Sequence, residues 1–196
     1  MVMTKKMTPK LHGSCPEGWR EDWRGGWLEA ARHVPSPNFN ARPAHVSVDL
    51  LVVHNISLPP GEFGGQGIEQ LFTNTLNSAE HPYYATIASL EVSAHFLIRR
   101  DGEIVQFVSV DNRAWHAGQS LWCDRDNCND FSVGIELEGT DDLPYEEIQY
   151  TQLQRLVDAL RRYFPRLDAD AVVGHSDIAP GRKTDPGPAF DWSRLR

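Results

Sequence analysis

The short apolar run of Val48–Val53 most constrains what this chain can fold into, because it ends in four consecutive aliphatic residues. A run of that length and composition is typical of a β-strand that is covered on both faces. The run stops at His54 and Asn55, where a loop rich in Pro and Gly begins. The sequence therefore predicts a central strand whose end carries polar side chains.

Three further segments predict strands by their alternation of apolar and polar residues. Val92–Arg99 and Glu103–Val108 flank the turn residues Asp101-Gly102, which indicates a β-hairpin. Phe131–Glu138 alternates in the same way, so its apolar side chains are expected on one face and its polar side chains on the other. The hairpin requires antiparallel pairs within the sheet.

A longer helix is predicted over Tyr145–Tyr163, because apolar residues recur on one face and Pro165 follows its end. Its expected buried residues are Ile148, Leu153, Leu156, Val157 and Leu160. Residues 68–76 and 82–90 show weaker helical patterns, and Asp170–Val173 predicts another short strand. A helix between two strands allows a crossover between parallel neighbours. We therefore expect a single α/β domain in which helices flank a mixed central β-sheet.

The chain has 196 residues, a length that fits one domain with a tail. Residues 1–26 contain all three methionines and show no steady period, so we expect a tail there and the domain over 27–196. Trp19, Trp23 and Trp27 recur every four residues, which would allow a short helical turn.

The composition excludes several classes of partner. Lys and Arg number 19 and Asp and Glu 27, a net charge of −8, so a nucleic-acid partner is not expected. No apolar stretch approaches the roughly 20 residues of a membrane span. The N-terminal lysines are not followed by the apolar stretch of an export signal, so we expect a cytoplasmic location. Cys15, Cys123 and Cys128 are an odd and sparse set that does not form a disulfide framework. Cys123 and Cys128 could pair or bind a metal, but two reduced thiols are expected.

His54 and His175 share one setting, because each follows a predicted strand and opens a loop rich in Pro and Gly. Asp185 lies ten residues after His175, in a loop that can fold back. Two imidazoles and one carboxylate form the three-ligand set of a catalytic Zn²⁺, and Co, Ni or Mn would suit the same ligands. The alternative is a pair of ordinary surface or capped histidines, since no local motif joins residues 121 positions apart.

Glu136 is the first candidate for proton transfer. It shares a predicted strand face with Ser132 and Gly134, which are too small to cover it, so water or substrate would have room beside it. Glu138 lies on the same face and is an equal candidate by pattern. The alternative is a solvated sheet face with two ordinary glutamates.

Further polar candidates lie in the same loops and in neighbouring segments. Lys183 would bring a cation beside Asp185, where it could stabilise an oxyanion, although a surface lysine is the alternative. His95 and His116 are candidates for substrate contacts or for support of the ligands, and a structural role is equally open. Asn55 would orient a ligand or cap the loop.

Five blocks of sequence resemble the zinc N-acetylmuramoyl-L-alanine amidase family. This family includes cytoplasmic anhydromuramyl-peptide amidases, peptidoglycan-recognition proteins and phage amidase-type lysozymes, and the resemblance covers about residues 27–192. The blocks are L-L-V-V-H-N-I-S-L-P-P-G-E-F-G-G (50–65), V-S-A-H-F-L-I-R-R-D-G-E-I-V-Q (92–106), R-A-W-H-A-G (113–118), C-N-D-F-S-V-G-I-E-L-E-G-T (128–140) and G-H-S-D-I-A-P-G-R-K-T-D-P-G-P-A-F-D-W (174–192).

The resemblance implies that His54, His175 and Asp185 are zinc ligands. It implies that Glu136, rather than Glu138, is the catalytic acid and base, and that Lys183 assists at the carbonyl. Candidate substrate-binding residues are Asn55, His95, Trp115 and His116.

The implied activity is hydrolysis of the amide between the lactyl group of 1,6-anhydro-N-acetylmuramic acid and L-alanine of the stem peptide. The implied setting is cytoplasmic recycling of peptidoglycan, with an effect on β-lactamase induction. We expect a monomer that takes small anhydro-muropeptides. The alternatives are a non-catalytic muropeptide-binding module of the same fold and a zinc hydrolase of another amide, such as a deacetylase.

Overall fold

A computed structural model describes residues 21–168 and 170–195 of the chain. Its strands are β1 (Trp23–Arg24), β2 (Trp27–Leu28), β3 (Arg32–His33), β4 (Phe39–Ala41), β5 (Leu50–Ile56), β6 (Phe96–Ile98), β7 (Ile104–Gln106), β8 (Asn112–Ala114), β9 (Leu121–Trp122), β10 (Arg125–Asp126), β11 (Ser132–Glu138) and β12 (Val172–Gly174). Its α-helices are α1 (Gly67–Phe72), α2 (Pro82–Ile87), α3 (Glu147–Tyr163) and α4 (His175–Ile178), and short 3₁₀ helices cover Cys128–Asp130 and Trp192–Leu195.

Six strands form a central sheet in the order β12-β5-β11-β6-β7-β3. The four strands β12, β5, β11 and β6 run parallel to one another. Strands β6 and β7 form an antiparallel hairpin, and β3 pairs with β7 in parallel. Two-stranded ribbons β1–β2, β4–β8 and β9–β10 lie outside this sheet. The predicted α/β fold with a mixed sheet and the predicted hairpin are therefore confirmed.

The two central strands β5 and β11 separate two differently covered faces. On one face, aliphatic residues such as Leu51 and Ile135 pack in one cluster with Leu153 and Leu156 of α3. Burial of these side chains is the main stabilising contribution to this layer. On the other face, β5 and β11 carry polar residues between small clusters, and the loops after β8 and α4 cover them. The site is built on this second face.

Helix α3 begins after Glu146, whose carboxylate and the Gln149 amide form a capping box that satisfies backbone donors of the first turn. The helix begins two residues later than expected. Ile148, expected in the buried face, lies in the first turn and is 40% exposed, whereas Tyr150 is buried. The other four expected residues are buried.

Two local expectations differ from the structure. Trp23 and Trp27 lie in the β1–β2 hairpin, not in a helical turn, and Trp19 lies outside the described residues. The turn residues Gly25 and Gly26 have positive φ, which favours the hairpin. The hairpin crosses the boundary expected between residues 26 and 27, and the Trp23 ring packs edge-on against Phe96.

No helix in the described part of the chain is long and apolar enough to cross a membrane. The described cysteines, Cys123 and Cys128, are free, and the third, Cys15, lies outside the described residues.

Candidate metal centre and active site

The sheet aligns three site positions in one row across adjacent parallel strands. His54 lies within β5, which continues past the expected end of the strand, and Glu136 on β11 is its register partner. On the other side of β5, Gly174 of β12 pairs with Val53, so the next residue, His175, begins α4 beside His54. Register partners on neighbouring strands project to the same face, and this geometry brings the three side chains together.

His54, His175 and Asp185 form a compact group of donor atoms. Nδ1 of His54 lies 2.9 Å from Nδ1 of His175, and Oδ2 of Asp185 lies 3.1 Å and 3.0 Å from these two nitrogens. In the described part of the chain, this is the one group of three or more His, Cys, Asp or Glu side chains whose ligand atoms lie close enough together to hold a metal ion. Two imidazole nitrogens and one carboxylate oxygen match a catalytic zinc site, in which a fourth position stays open to solvent or substrate.

The charge states of these residues suit metal binding. Burial lowers the pKa of His54 to about 4, so its ring is neutral at physiological pH. Burial acts to raise the pKa of Asp185, but contacts with His175 and His54 outweigh it and hold this pKa below its usual range. A neutral imidazole and an ionised carboxylate are the forms that bind a metal ion.

Glu136 is buried beside these ligands. Burial, and next the charge of Asp185, raise the pKa of its carboxyl group well above the ordinary value, while Lys183 opposes the shift. Its Oε2 atom is buried and has no hydrogen-bond partner. A carboxyl group with a raised pKa and an unengaged oxygen is suited to accept and return a proton.

Glu138, the competing candidate, is engaged elsewhere. It accepts hydrogen bonds from the backbone N–H groups of Gly64, at 2.7 Å, and Arg100, at 3.1 Å, and it pairs with the Arg99 guanidinium at 3.5 Å. These contacts join the loop between β5 and α1 to the residues that follow β6. The environments of the two glutamates therefore favour Glu136 for proton transfer.

A cavity of about 380 Å³ opens onto the site. The three candidate ligands, Glu136 and Lys183 line its polar end. The rest of its wall is mostly apolar and includes Leu58, Leu71, Phe72, Ile87, Leu90 and Val92. Such a cavity suits an amphipathic ligand whose polar reacting group reaches the ligands.

The predicted substrate-binding residues fall into two groups. Asn55, Trp115 and His116 line the cavity. His95 is fully buried, and both of its ring nitrogens have protein partners: Nδ1 accepts from the N–H of Gly134 at 3.0 Å, and Nε2 lies 3.1 Å from the carbonyl of Asn112. These contacts favour the structural role that the sequence left open for His95.

The side-chain amide of Asn55 is used by the protein. It donates to Oδ1 of Asp141 at 2.7 Å and to the carbonyl oxygen of Pro186 at 3.2 Å. The hydroxyl of Tyr145 also donates to Pro186, at 2.8 Å. Pro186 follows Asp185, so these contacts position the loop that carries the candidate ligand.

Sequence reasoning missed the residues that support the ligands. Asp141 binds the side chain of Asn55, and Tyr145 and Asn129 bind backbone groups of the site. No spacing or pattern in the sequence relates these three residues to the ligands. The space above Gly134, expected to be open beside Glu136, is occupied by the ring of His116. Only the three-dimensional packing of the loop after β8 reveals this.

Comparisons with known proteins agree with this geometry. A family model described as N-acetylmuramoyl-L-alanine amidase matches residues 44–188. The 1,6-anhydro-N-acetylmuramyl-L-alanine amidase AmpD of Escherichia coli (strain K12) is 61% identical over 171 residues, which cover 87% of this chain and 93% of the relative. A crystal structure of an AmpD derivative has a TM-score of 0.86 at 60% identity, and the match covers 88% of this chain and 96% of that chain.

A more distant structure contains a ligand. The crystal structure of AmpDh3 from Pseudomonas aeruginosa in complex with anhydromuramic pentapeptide has a TM-score of 0.56 at 31% identity. The match covers 78% of this chain and 61% of that chain.

Proposed function

Since this chain belongs to the N-acetylmuramoyl-L-alanine amidase family, as its sequence blocks predicted, we propose that it is a zinc-dependent amidase for anhydro-muropeptides. The bond cleaved joins the lactyl group of 1,6-anhydro-N-acetylmuramic acid to L-alanine. The observation that carries the proposal is the group of His54, His175 and Asp185 beside the unengaged carboxyl of Glu136.

His54, His175 and Asp185 would hold the zinc ion, through Nδ1, Nδ1 and Oδ2 respectively. The donor set fits Zn²⁺ because it combines two neutral imidazoles with one carboxylate and leaves one position open. When bound, the ion supplies a Lewis acid that lowers the pKa of water and polarises a carbonyl group.

Two side chains around this group transfer the proton and stabilise the charge that develops. Glu136 takes the proton from the attacking water and returns it to the departing amine of L-alanine, since burial raises its pKa well above the ordinary carboxyl value and so makes its carboxylate a stronger base. Lys183 lines the same end of the cavity, and its ammonium group stabilises the negative charge that develops on the carbonyl oxygen. The apolar wall excludes water from the remainder of the substrate.

The substrate class follows from the relatives and the cavity. The AmpD proteins are named for 1,6-anhydro-N-acetylmuramyl-L-alanine, and AmpDh3 binds an anhydromuramic pentapeptide. We propose the same class here, with Trp115 and His116 in the wall that faces the substrate. A cytoplasmic location, a monomeric state and a role in peptidoglycan recycling that limits β-lactamase induction belong to the same proposal.

The experiment combines metal content with product analysis. The purified full-length chain is expected to contain about one zinc ion and to release a free stem peptide from an anhydro-muropeptide. A chelator should abolish this release and Zn²⁺ should restore it. Equal activity of the metal-free protein would contradict the zinc proposal. Binding without any released peptide would favour the non-catalytic module, and released acetate would favour a deacetylase.

A further inference from the structure

The two histidines of the candidate metal site present the same ring nitrogen, Nδ1, to the position of the metal. His54 and His175 both direct Nδ1 towards Asp185, so a bound metal requires each Nδ1 to be free of hydrogen and each Nε2 to carry it. Nε2 of His175 lies 3.1 Å from the carbonyl oxygen of Ala117. A carbonyl oxygen only accepts, so this contact places the hydrogen of His175 on Nε2.

His54 has a less obvious partner, because its Nε2 lies 2.9 Å from Nδ1 of His116. Either ring could donate in an isolated pair. Nε2 of His116 lies 3.2 Å from Oγ of Ser132, and this hydroxyl lies 2.6 Å from the carbonyl oxygen of Cys128. The donor and acceptor roles in this whole series of hydrogen bonds therefore depend on that carbonyl.

The carbonyl oxygen of Cys128 accepts, so the hydroxyl of Ser132 donates to it and is left with lone pairs towards His116. Nε2–H of His116 then donates to Ser132. The free Nδ1 of His116 in turn accepts from Nε2–H of His54, which leaves Nδ1 of His54 without hydrogen. The carbonyl oxygen of Cys128 thus determines the position of each hydrogen along this series of hydrogen bonds, which ends at His54.

We propose that His116 and Ser132 are positioning residues that fix the metal-binding tautomer of His54, while the adjacent carbonyl of Ala117 fixes that of His175. This inference rests on the zinc site proposed above and assigns both ring nitrogens of His116 to the support of a ligand, so that they do not bind the substrate although the ring lines the cavity. Partners of this kind orient a ligand ring and increase its affinity for the metal.

Two features hold His116 in this place. Oδ1 of Asn129 accepts from the N–H groups of His116, at 3.0 Å, and Ala117, at 2.8 Å, so one side chain locks the segment that serves both ligands. Gly134 lets the ring lie flat on β11, since a Cβ atom there would come within 2.4 Å of Cγ of His116. The small residue in this strand thus makes room for the ring.

The first test measures the tautomers directly. In ¹⁵N spectra of the zinc-loaded full-length protein at neutral pH, His116 is expected to carry its hydrogen on Nε2 alone. A hydrogen on Nδ1 of His116 would reverse the direction of these hydrogen bonds and overturn the proposal. This readout needs no variant and no substrate.

The second test compares zinc affinity, by competition with a chelator, in a matched pair of variants. His116→Ala removes the acceptor and should weaken zinc binding about 10–100-fold. His116→Asn places a side-chain oxygen near the position of Nδ1, and it should recover at least about half of that loss on a logarithmic scale. Equal affinity of His116→Ala and the unmodified chain would overturn the proposal, and so would equally weak binding by both variants.

Ser132→Ala extends the series, because it should weaken zinc binding less than His116→Ala while keeping the ring in place. An effect of zero would remove Ser132 from the proposal. If the unmodified chain itself binds no zinc, the proposed function fails. If it binds zinc but the variants do so equally well, only the positioning role fails.

Discussion

Glu136 and Glu138 project from the same face of β11, two residues apart, yet only Glu138 is held by protein donors. Glu138 is 2% exposed and accepts from two backbone N–H groups, whereas Oε2 of Glu136 has no partner. One carboxylate therefore supports the structure, and the other is available for chemistry.

Glu136→Gln should lower kcat about 10²–10⁴-fold, because an amide cannot take and return the proton. Zinc content should stay at the level of the unmodified chain, since Glu136 is not among the three grouped ligands. Product release is measured by mass spectrometry and zinc by elemental analysis. Unchanged kcat would remove Glu136 from the reaction.

Glu138→Gln should destabilise the fold by about 1–3 kcal/mol, because its amide N–H₂ would face backbone donors that now have an acceptor. Denaturant unfolding measures the change. Glu136→Gln is the matched control, since it makes the same substitution on the same strand face without losing a hydrogen bond. Equal stability of the two variants would contradict the structural role of Glu138.

Asn55→Asp should weaken zinc binding and lower stability, since a carboxylate cannot donate to Asp141 or to the carbonyl of Pro186. The loop that carries Asp185 would lose its connection to β5. Chelator competition reports zinc affinity and steady-state kinetics report KM. A raised KM with unchanged zinc affinity would instead assign Asn55 to the substrate.

The ion pairs of Glu69 should make the stability of the fold depend on pH. The guanidinium of Arg32, at 2.6 Å, and that of Arg99 hold the pKa of Glu69 below its ordinary 4.5. A carboxyl group whose folded pKa is depressed stabilises the fold above its unfolded pKa. This contribution should be lost as the pH falls below about 4.5 and through the folded pKa.

Thermal unfolding of the unmodified chain and Glu69→Gln from neutral pH to about pH 3 tests this dependence. The unmodified chain should be the more stable near neutral pH, and the difference should shrink on acidification. A difference that stays constant over the whole range would show that the charge of Glu69 contributes nothing.

The central strands were predictable because hydrophobic periodicity is a local signal. The apolar run before His54 and the alternation around Glu136 predicted β5 and β11, although β5 continues through Ile56 instead of stopping at His54. The run does not show this extension, since parallel pairing with β11 stabilises polar positions that a periodicity test scores as loop.

The supporting groups were not predictable, because their contacts join distant segments. His54 and His116 are 62 residues apart, and no period relates them. Gly134 appears in the sequence only as a small residue that leaves Glu136 uncovered, whereas in the fold it accommodates an imidazole ring. The four-residue spacing of Trp23 and Trp27 allowed a helical turn, but Gly25 and Gly26 form a hairpin turn between them.

The register of β11 on β5 places Glu136 directly beside His54, so the separation of these residues is set by the hydrogen-bonding distance between two strands. No loop length enters that separation. Insertions and deletions in the connections around the cavity can therefore alter which sugars and peptides are accepted while the reacting groups keep their spacing. Diversification of specificity in such a scaffold is uncoupled from preservation of its chemistry.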